Sequence, residues 1–130
     1  MPADYLYHGC AAADILDVLA DGLIVGEGRS GVSLTTTAAR ARWWGRLKGR
    51  TVHVLRISPP PADLTPEDAW PADPALDFNS PTSIPPTSIQ VYDSHGRRWE
   101  SLFEHYSEAL SDDELAAWQA RWLPAPAPSL

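Results

Sequence analysis

His8 is the side chain in the first part of this chain best placed for chemistry. It sits late in an alternating run, Tyr5-Leu6-Tyr7-His8-Gly9-Cys10, in which Tyr5 and Tyr7 share one face of a strand and Leu6 and His8 the other. Gly9 follows and lets the backbone approach whatever His8 contacts. A second run, Gly31-Val32-Ser33-Leu34-Thr35-Thr36, brings hydroxyl groups in the same setting. Both runs are short and β-prone and end in small or polar residues, as strands do when they deliver side chains and amides to a cleft at a sheet end. A ligand could sit between them. The competing reading of His8 is a satisfied structural histidine at a strand end.

Other stretches look chemical and are weaker. Residues 26–31, Gly-Glu-Gly-Arg-Ser-Gly, suggest a phosphate cradle. They lack the Lys-Ser/Thr ending of a P-loop and the spacing of a dinucleotide fingerprint, so they read as a connector bordering the cleft. Arg40, Arg42, Arg46, Lys48, Arg50 and Arg56 form a basic stretch, read either as a solvated helix face or as an anion-binding surface. Trp43 and Trp44 lie in the same segment; one is expected to pack inward and the other to face the cleft, where an indole offers a flat surface to a heteroaromatic ring. Cys10 is the single cysteine, which excludes an intrachain disulfide, and no Cys/His spacing of the zinc type occurs, so no metal site is expected.

The 130 residues fit one domain with a real core. A net charge of −7 argues against broad electrostatic binding to nucleic acid or anionic membrane. No basic leader and no long apolar stretch occur, so a cytoplasmic protein with no membrane partner is expected. The 13 prolines cluster in two places, which are therefore loops or tails.

These residues need elements to hold them. After the first strand, Ile15, Leu16, Val18 and Leu19 keep helical spacing over residues 11–20, with Asp14 near the start and Gly22 as the stop. Residues 32–35 predict a second strand, and the Thr35-Thr36-Thr37 hydroxyls can cap a helix over residues 38–48. Residues 51–58 predict a strand buried on both sides, hence central, in which His53 is packed or solvent-facing and not a ligand. Pro59-Pro60-Pro61 ends it, and residues 62–83 read as one long acidic loop without periodicity. Ile89 and Val91 then share a strand face, behind Pro85 and Pro86. Residues 93–96 predict a turn and residues 99–110 a helix. Ser111-Asp112-Asp113-Glu114 predicts a capping box for a last helix presenting Leu115, Trp118 and Trp122. Residues 1–123 are thus expected to form the domain and residues 124–130 a disordered Pro/Ala tail.

Taken in order, the Tyr-His-Gly strand, the helix ending near a Gly-Leu pair, the Gly-Val-Ser-Leu-Thr strand, the Ala-rich helix, the Val-rich strand and the Ile-Pro-Pro-x-x-Ile-x-Val strand resemble the ADP-ribosyltransferase superfamily. The likeness is to its small bacterial members and the related RNA 2′-phosphotransferases, and it runs from Tyr5 to Tyr92. It implies an α+β fold with a split β-sheet core, flanking helices and C-terminal helices. It also implies NAD as substrate, with ADP-ribose transferred to a protein or nucleic-acid acceptor by a toxin or regulator, and an antitoxin or immunity partner for a toxin.

By that resemblance His8 would bind a ribose hydroxyl of NAD, which suits an imidazole that can donate and accept. Gly9 would meet the nicotinamide carboxamide through its backbone, while Ser33, Thr35 and Thr36 would surround the nicotinamide ribose. Trp43 or Trp44 would supply a stacking ring. The family's glutamate stabilises a ribosyl cation, for which a nearby carboxylate is the physical requirement. Asp77 is the candidate for that catalytic role, one methylene shorter, with Asn79 as the fallback. Two alternatives stand beside transfer. One is RNA 2′-phosphotransfer using Arg40, Arg42 and Arg46; the other is a module that binds NAD, ADP-ribose or a protein without turnover.

Overall fold

Two apolar strands form the centre of the computed structural model, which describes residues 4–26, 31–47 and 51–123. Strands β1 (Leu6–Ala11) and β3 (Val52–Ile57) pair antiparallel from Leu6 opposite Ile57 to Ala11 opposite Val52. On one side follow β2 (Val32–Thr35), β5 (Asp77–Ser80) and the short β4 (Thr65–Pro66); on the other lie β6 (Ile89–Asp93) and β7 (Arg98–Ser101). The result is one open seven-stranded antiparallel sheet in the order β4-β5-β2-β1-β3-β6-β7. Four α-helices pack on it: α1 (Ile15–Asp21), α2 (Ala38–Arg46), α3 (Leu102–Tyr106) and α4 (Asp112–Trp122). The α+β class expected from the sequence is therefore present.

Strand alternation decides what each face buries. Leu6, Leu55, Ile57 and Ile89 point to one face and are fully buried with Leu19 of α1 and Leu102 of α3. Helix α4 closes this layer: Trp118 stacks on Phe103 with ring centroids 4.1 Å apart. The Trp118 and Trp122 indole N–H groups donate to the Leu19 and Ala20 carbonyls, at 2.6 and 2.9 Å. Those carbonyls belong to the last turn of α1, where the helix itself leaves acceptors unused. Gly22 ends α1 at φ +79°, a backbone state that favours glycine.

Helix α2 covers the opposite face, and Gly9 is what lets it do so. A Cβ on Gly9 would lie 2.2 Å from the Ala41 carbonyl oxygen, in helix backbone that cannot swing aside. Gly9→Ala is therefore expected to cost about 3 kcal/mol of unfolding free energy by overpacking. Chemical denaturation checks this, and a loss below about 1 kcal/mol would contradict so close a helix–strand contact.

Several sequence expectations shift. The first helix starts late, because residues 12–14 form a 3-10 turn that is needed to leave β1. The segment 62–83, expected as one loop, contains β5, which is a strand because β2 offers it an edge, and β4, which pairs with β5 in turn. The helix expected from residue 99 begins at Leu102, since residues 98–101 pair with β6 as β7; Ser101 caps α3 by accepting from the Glu104 N–H at 3.0 Å. Thr37 caps α2 in the same way through Arg40, and the Ser111–Glu114 capping box is formed. His53 lies against Tyr106, with 6.3 Å between ring centroids. The core of the glycine-rich loop (27–30), the end of the basic stretch (48–50) and the tail (124–130) fall outside the described residues. Among those that are described, no helix is long and apolar enough to cross a membrane.

Candidate functional site

β1 and β2 share a single register pair, Tyr7 opposite Thr35, whereas β1 and β3 are paired along their length. The sheet opens beside that pair, and a cleft of about 620 Å³ lies there, bordered by α1, β1, β2, α2 and the segment after β4. His8, Gly9, Ser33, Thr35, Trp44 and Asp77 all line it. The two runs singled out in the sequence thus meet in one cavity.

The ring of His8 is fixed from β2. Its Nδ1 lies 2.7 Å from the Ser33 carbonyl oxygen. A carbonyl only accepts, so Nδ1 is the donor in this contact. The Ser33 hydroxyl, exposed on the other side of the same residue, donates to Glu67 Oε1 at 3.1 Å. One residue of β2 therefore couples an imidazole and a carboxylate. Ser33 and Glu67 share a face because β2 and β4 both pair with β5: Ser33 and Thr65 each stand opposite Asn79. The Glu67 N–H donates to the Asp77 carbonyl at 2.9 Å and continues that register past the end of β4.

Asp77 faces a different set of partners. It is 3% exposed, and its carboxylate accepts from Arg40 Nε at 2.7 Å and Nη2 at 2.6 Å, from Thr35 Oγ1 at 2.8 Å, from Trp44 Nε1 at 3.2 Å and from the Asp73 N–H at 2.8 Å. Burial by itself would raise its pKa. The Arg40 bond, the Asp73 amide, Thr35 and Trp44 outweigh that and hold it at about 2. Arg40 is held charged by the same contact, against the opposing effect of its burial. A carboxylate with its lone pairs filled and its charge matched is an anchor. The chain it anchors is the acidic excursion, tied at one foot by Glu67 to the Asp77 carbonyl and at the other by Asp73 to the Asp77 side chain.

The remaining expected residues divide. Thr35 is buried, and its hydroxyl is committed to Asp77 and the Leu76 carbonyl, so it is not offered to a ligand. Thr36 is not among the lining residues, and its buried Oγ1 has no hydrogen-bond partner among the described residues. Trp43 lies outside the lining with Arg40 over its ring at 5.2 Å, whereas Trp44 lines the cleft with its N–H bound to Asp77. Gly9 lines the cleft, but its missing side chain is demanded by α2. The fallback Asn79 is half-buried on β5, opposite Ser33, and is not among the lining residues.

Glu67 and Trp70 also line the cleft, and neither stands out in the sequence as a site residue. Glu67 lies in a proline-rich acidic stretch with no periodicity, and nothing local distinguishes it from Asp63 or Asp68. Trp70 also lines the cleft and is 92% exposed, at a turn in which the Ala72 N–H donates to the Ala69 carbonyl at 2.9 Å. A signal existed for Trp70: a tryptophan between an acidic run and Pro71 has no core pattern to join. The described lining also carries Asp14, Asp17 and Asp21 of the α1 side and no Arg or Lys. The cavity thus suits a cationic ring better than a bare phosphate.

Compared with known proteins, the chain matches no family model, no curated protein and no solved structure at a significant level.

Proposed function

We propose that the cleft binds NAD and cleaves its nicotinamide–ribose bond, passing ADP-ribose to an acceptor, as the resemblance to ADP-ribosyltransferases implies. The observation that carries the reading is the His8–Ser33–Glu67 set of contacts, which brings an imidazole and a carboxylate from the two sides of β2 to the wall of one acidic cavity. Glu67, and not the Asp77 expected from the sequence, takes the carboxylate's role, because the Asp77 charge is matched by Arg40.

Bound NAD presents a pyridinium ring and a ribose to this wall. His8 orients a ribose hydroxyl through Nε2, because its Nδ1 is held by β2. As the C–N bond breaks, its electron pair leaves with nicotinamide and positive charge develops on the ribose carbon. Glu67 sits where a carboxylate stabilises that charge, and it is the group placed to take the proton when a nucleophile closes the new bond. Ser33 holds the Glu67 oxygen in position.

The exposed indole of Trp70 covers the flat nicotinamide ring from the loop side. Trp70→Ala is expected to raise the apparent KM for NAD about tenfold with kcat little changed, since stacking contributes to ground-state and transition-state binding alike. Steady-state nicotinamide release at several NAD concentrations measures the split; a fall in kcat alone would show that Trp70 does not hold NAD.

RNA 2′-phosphotransfer has less support. Of its candidate cations, Arg40 is locked to Asp77, and Arg42 and Arg46 are exposed outside the lining. The test of the main reading is nicotinamide release from NAD with water or a lysate as acceptor, alongside calorimetry with NAD and ADP-ribose. Release supports transfer or hydrolysis. NAD binding without release would leave a binding module, and absence of both would end the nucleotide reading.

A further inference from the structure

The sheet face beyond α2 carries a second surface. Tyr7 stands opposite Arg56, Arg56 opposite Gln90, and Tyr92 opposite Trp99, so all five share one face of β1, β3, β6 and β7. The Arg56 guanidinium lies 4.0 Å from the Tyr5 ring centroid and 4.8 Å from that of Trp99, and its Nε donates to Gln90 Oε1 at 2.7 Å. Trp99 in turn meets Tyr7 and Tyr92, at 5.8 and 5.6 Å between centroids. Tyr5 and Tyr92 are 38% and 47% exposed.

We propose that this face docks single-stranded nucleic acid. The charge pattern favours that occupant. In a chain of net charge −7, Arg56 forms no ion pair with a carboxylate among the described residues, and none of the residues that register places on this face of β1, β3, β6 and β7 is acidic. Aromatic rings hold the guanidinium flat and Gln90 occupies its Nε, which leaves the outer edge of the fork for a phosphate. Exposed tyrosines beside it offer π-faces to unstacked bases, the combination that holds single strands without reading their sequence. A duplex keeps its bases stacked on each other and cannot use those rings.

The face also leads to the cleft. Tyr7, which lines the cavity, pairs with Thr35 on one side and Arg56 on the other, so a strand lying across β3 and β1 ends at the cavity mouth. As an acceptor platform the surface rests on the transferase reading; as a binding surface it is tested without NAD, and the two can fail separately.

The experiment is fluorescence anisotropy of labelled 12-nucleotide RNA and DNA strands, with the matching duplexes, titrated with the full chain at low and moderate salt. Binding of single strands in the range of about 10 μM, at least tenfold weaker for duplex and weakening as salt rises, is expected. Arg56→Gln and Tyr92→Ala should each weaken it about tenfold, with circular dichroism melts showing that both fold. Arg98→Gln, exposed on the opposite face, should change it less than about twofold. No retention up to about 200 μM, equal retention of duplex, or equal loss in Arg98→Gln would overturn the proposal. A face reserved for a protein partner would give the first of these results.

Discussion

Asp77→Asn is expected to destabilise the protein by about 3 kcal/mol, although Asp77 touches no substrate in the proposed reaction. The side chain is buried and accepts from Arg40, Thr35, Trp44 and the Asp73 amide, all of them donors. Asparagine presents one acceptor and one more donor to that set, so at least one donor pair is forced together and the Arg40 charge loses its partner. For a chain of this length the melting temperature should fall by roughly 10 °C. Replacing both Arg40 and Asp77 with alanine should cost less than the two single changes together, because the unpaired buried charge is then absent. Calorimetric melting of the four proteins decides the matter; strict additivity would mean that the pair anchors nothing.

The same contact sets an acid limit. The folded-state pKa of Asp77 is depressed from 3.8 to about 2, so its contribution is fully present above about pH 4 and is lost as pH falls through 2. The shift corresponds to about 2 kcal/mol. Wild type should therefore lose stability between about pH 4 and pH 2, and Asp77→Asn should lack that part of the acid transition. Denaturant midpoints measured across this range test it. Because the Asp77 side chain ties the Asp73 foot of the acidic excursion, Asp77→Asn should also displace Trp70 and lower nicotinamide release as a secondary effect.

Glu67→Gln should have the opposite profile. Glutamine keeps the shape and an acceptor for the Ser33 hydroxyl, and Glu67 is only half-buried, so stability should change by less than about 0.5 kcal/mol. In the proposed reaction, what disappears is the charge that stabilises the developing ribosyl cation. Removal of one such electrostatic partner costs about 10²- to 10³-fold in kcat, with little change in KM because the neutral side chain still fills the site. Single-turnover nicotinamide release separates this from a binding defect. An unchanged rate in Glu67→Gln, with wild-type release established, would place the catalytic carboxylate elsewhere and remove the role argued for the Ser33–Glu67 contact. The pair of variants is informative together: Asp77→Asn should lose stability first and activity second, and Glu67→Gln activity alone.

Local order along the chain was legible where short-range physics decides it. The alternation that puts His8 opposite Tyr7, the helical spacing of Ile15, Val18 and Leu19, the Gly22 stop and the Ser111 capping box each depend on neighbours a few residues away, and each forms as read. The meeting of His8 with Ser33 was also foreseeable, since both lie on β-prone runs ending at a cleft. The acidic excursion was not legible. Its strands β4 and β5 have two and four residues, too short to carry a pattern, and exist because the β2 edge accepts β5 and β5 in turn accepts β4. Which of its carboxylates meets Ser33 and which meets Thr35 and Arg40 follows from a register set across that edge, where one residue's slip would turn both to the other face. Short-range pattern was thus enough for an α+β chain with a histidine and a serine at one opening, whereas only long-range strand pairing commits Asp77 to Arg40 and sets Glu67 beside Ser33 in the cleft.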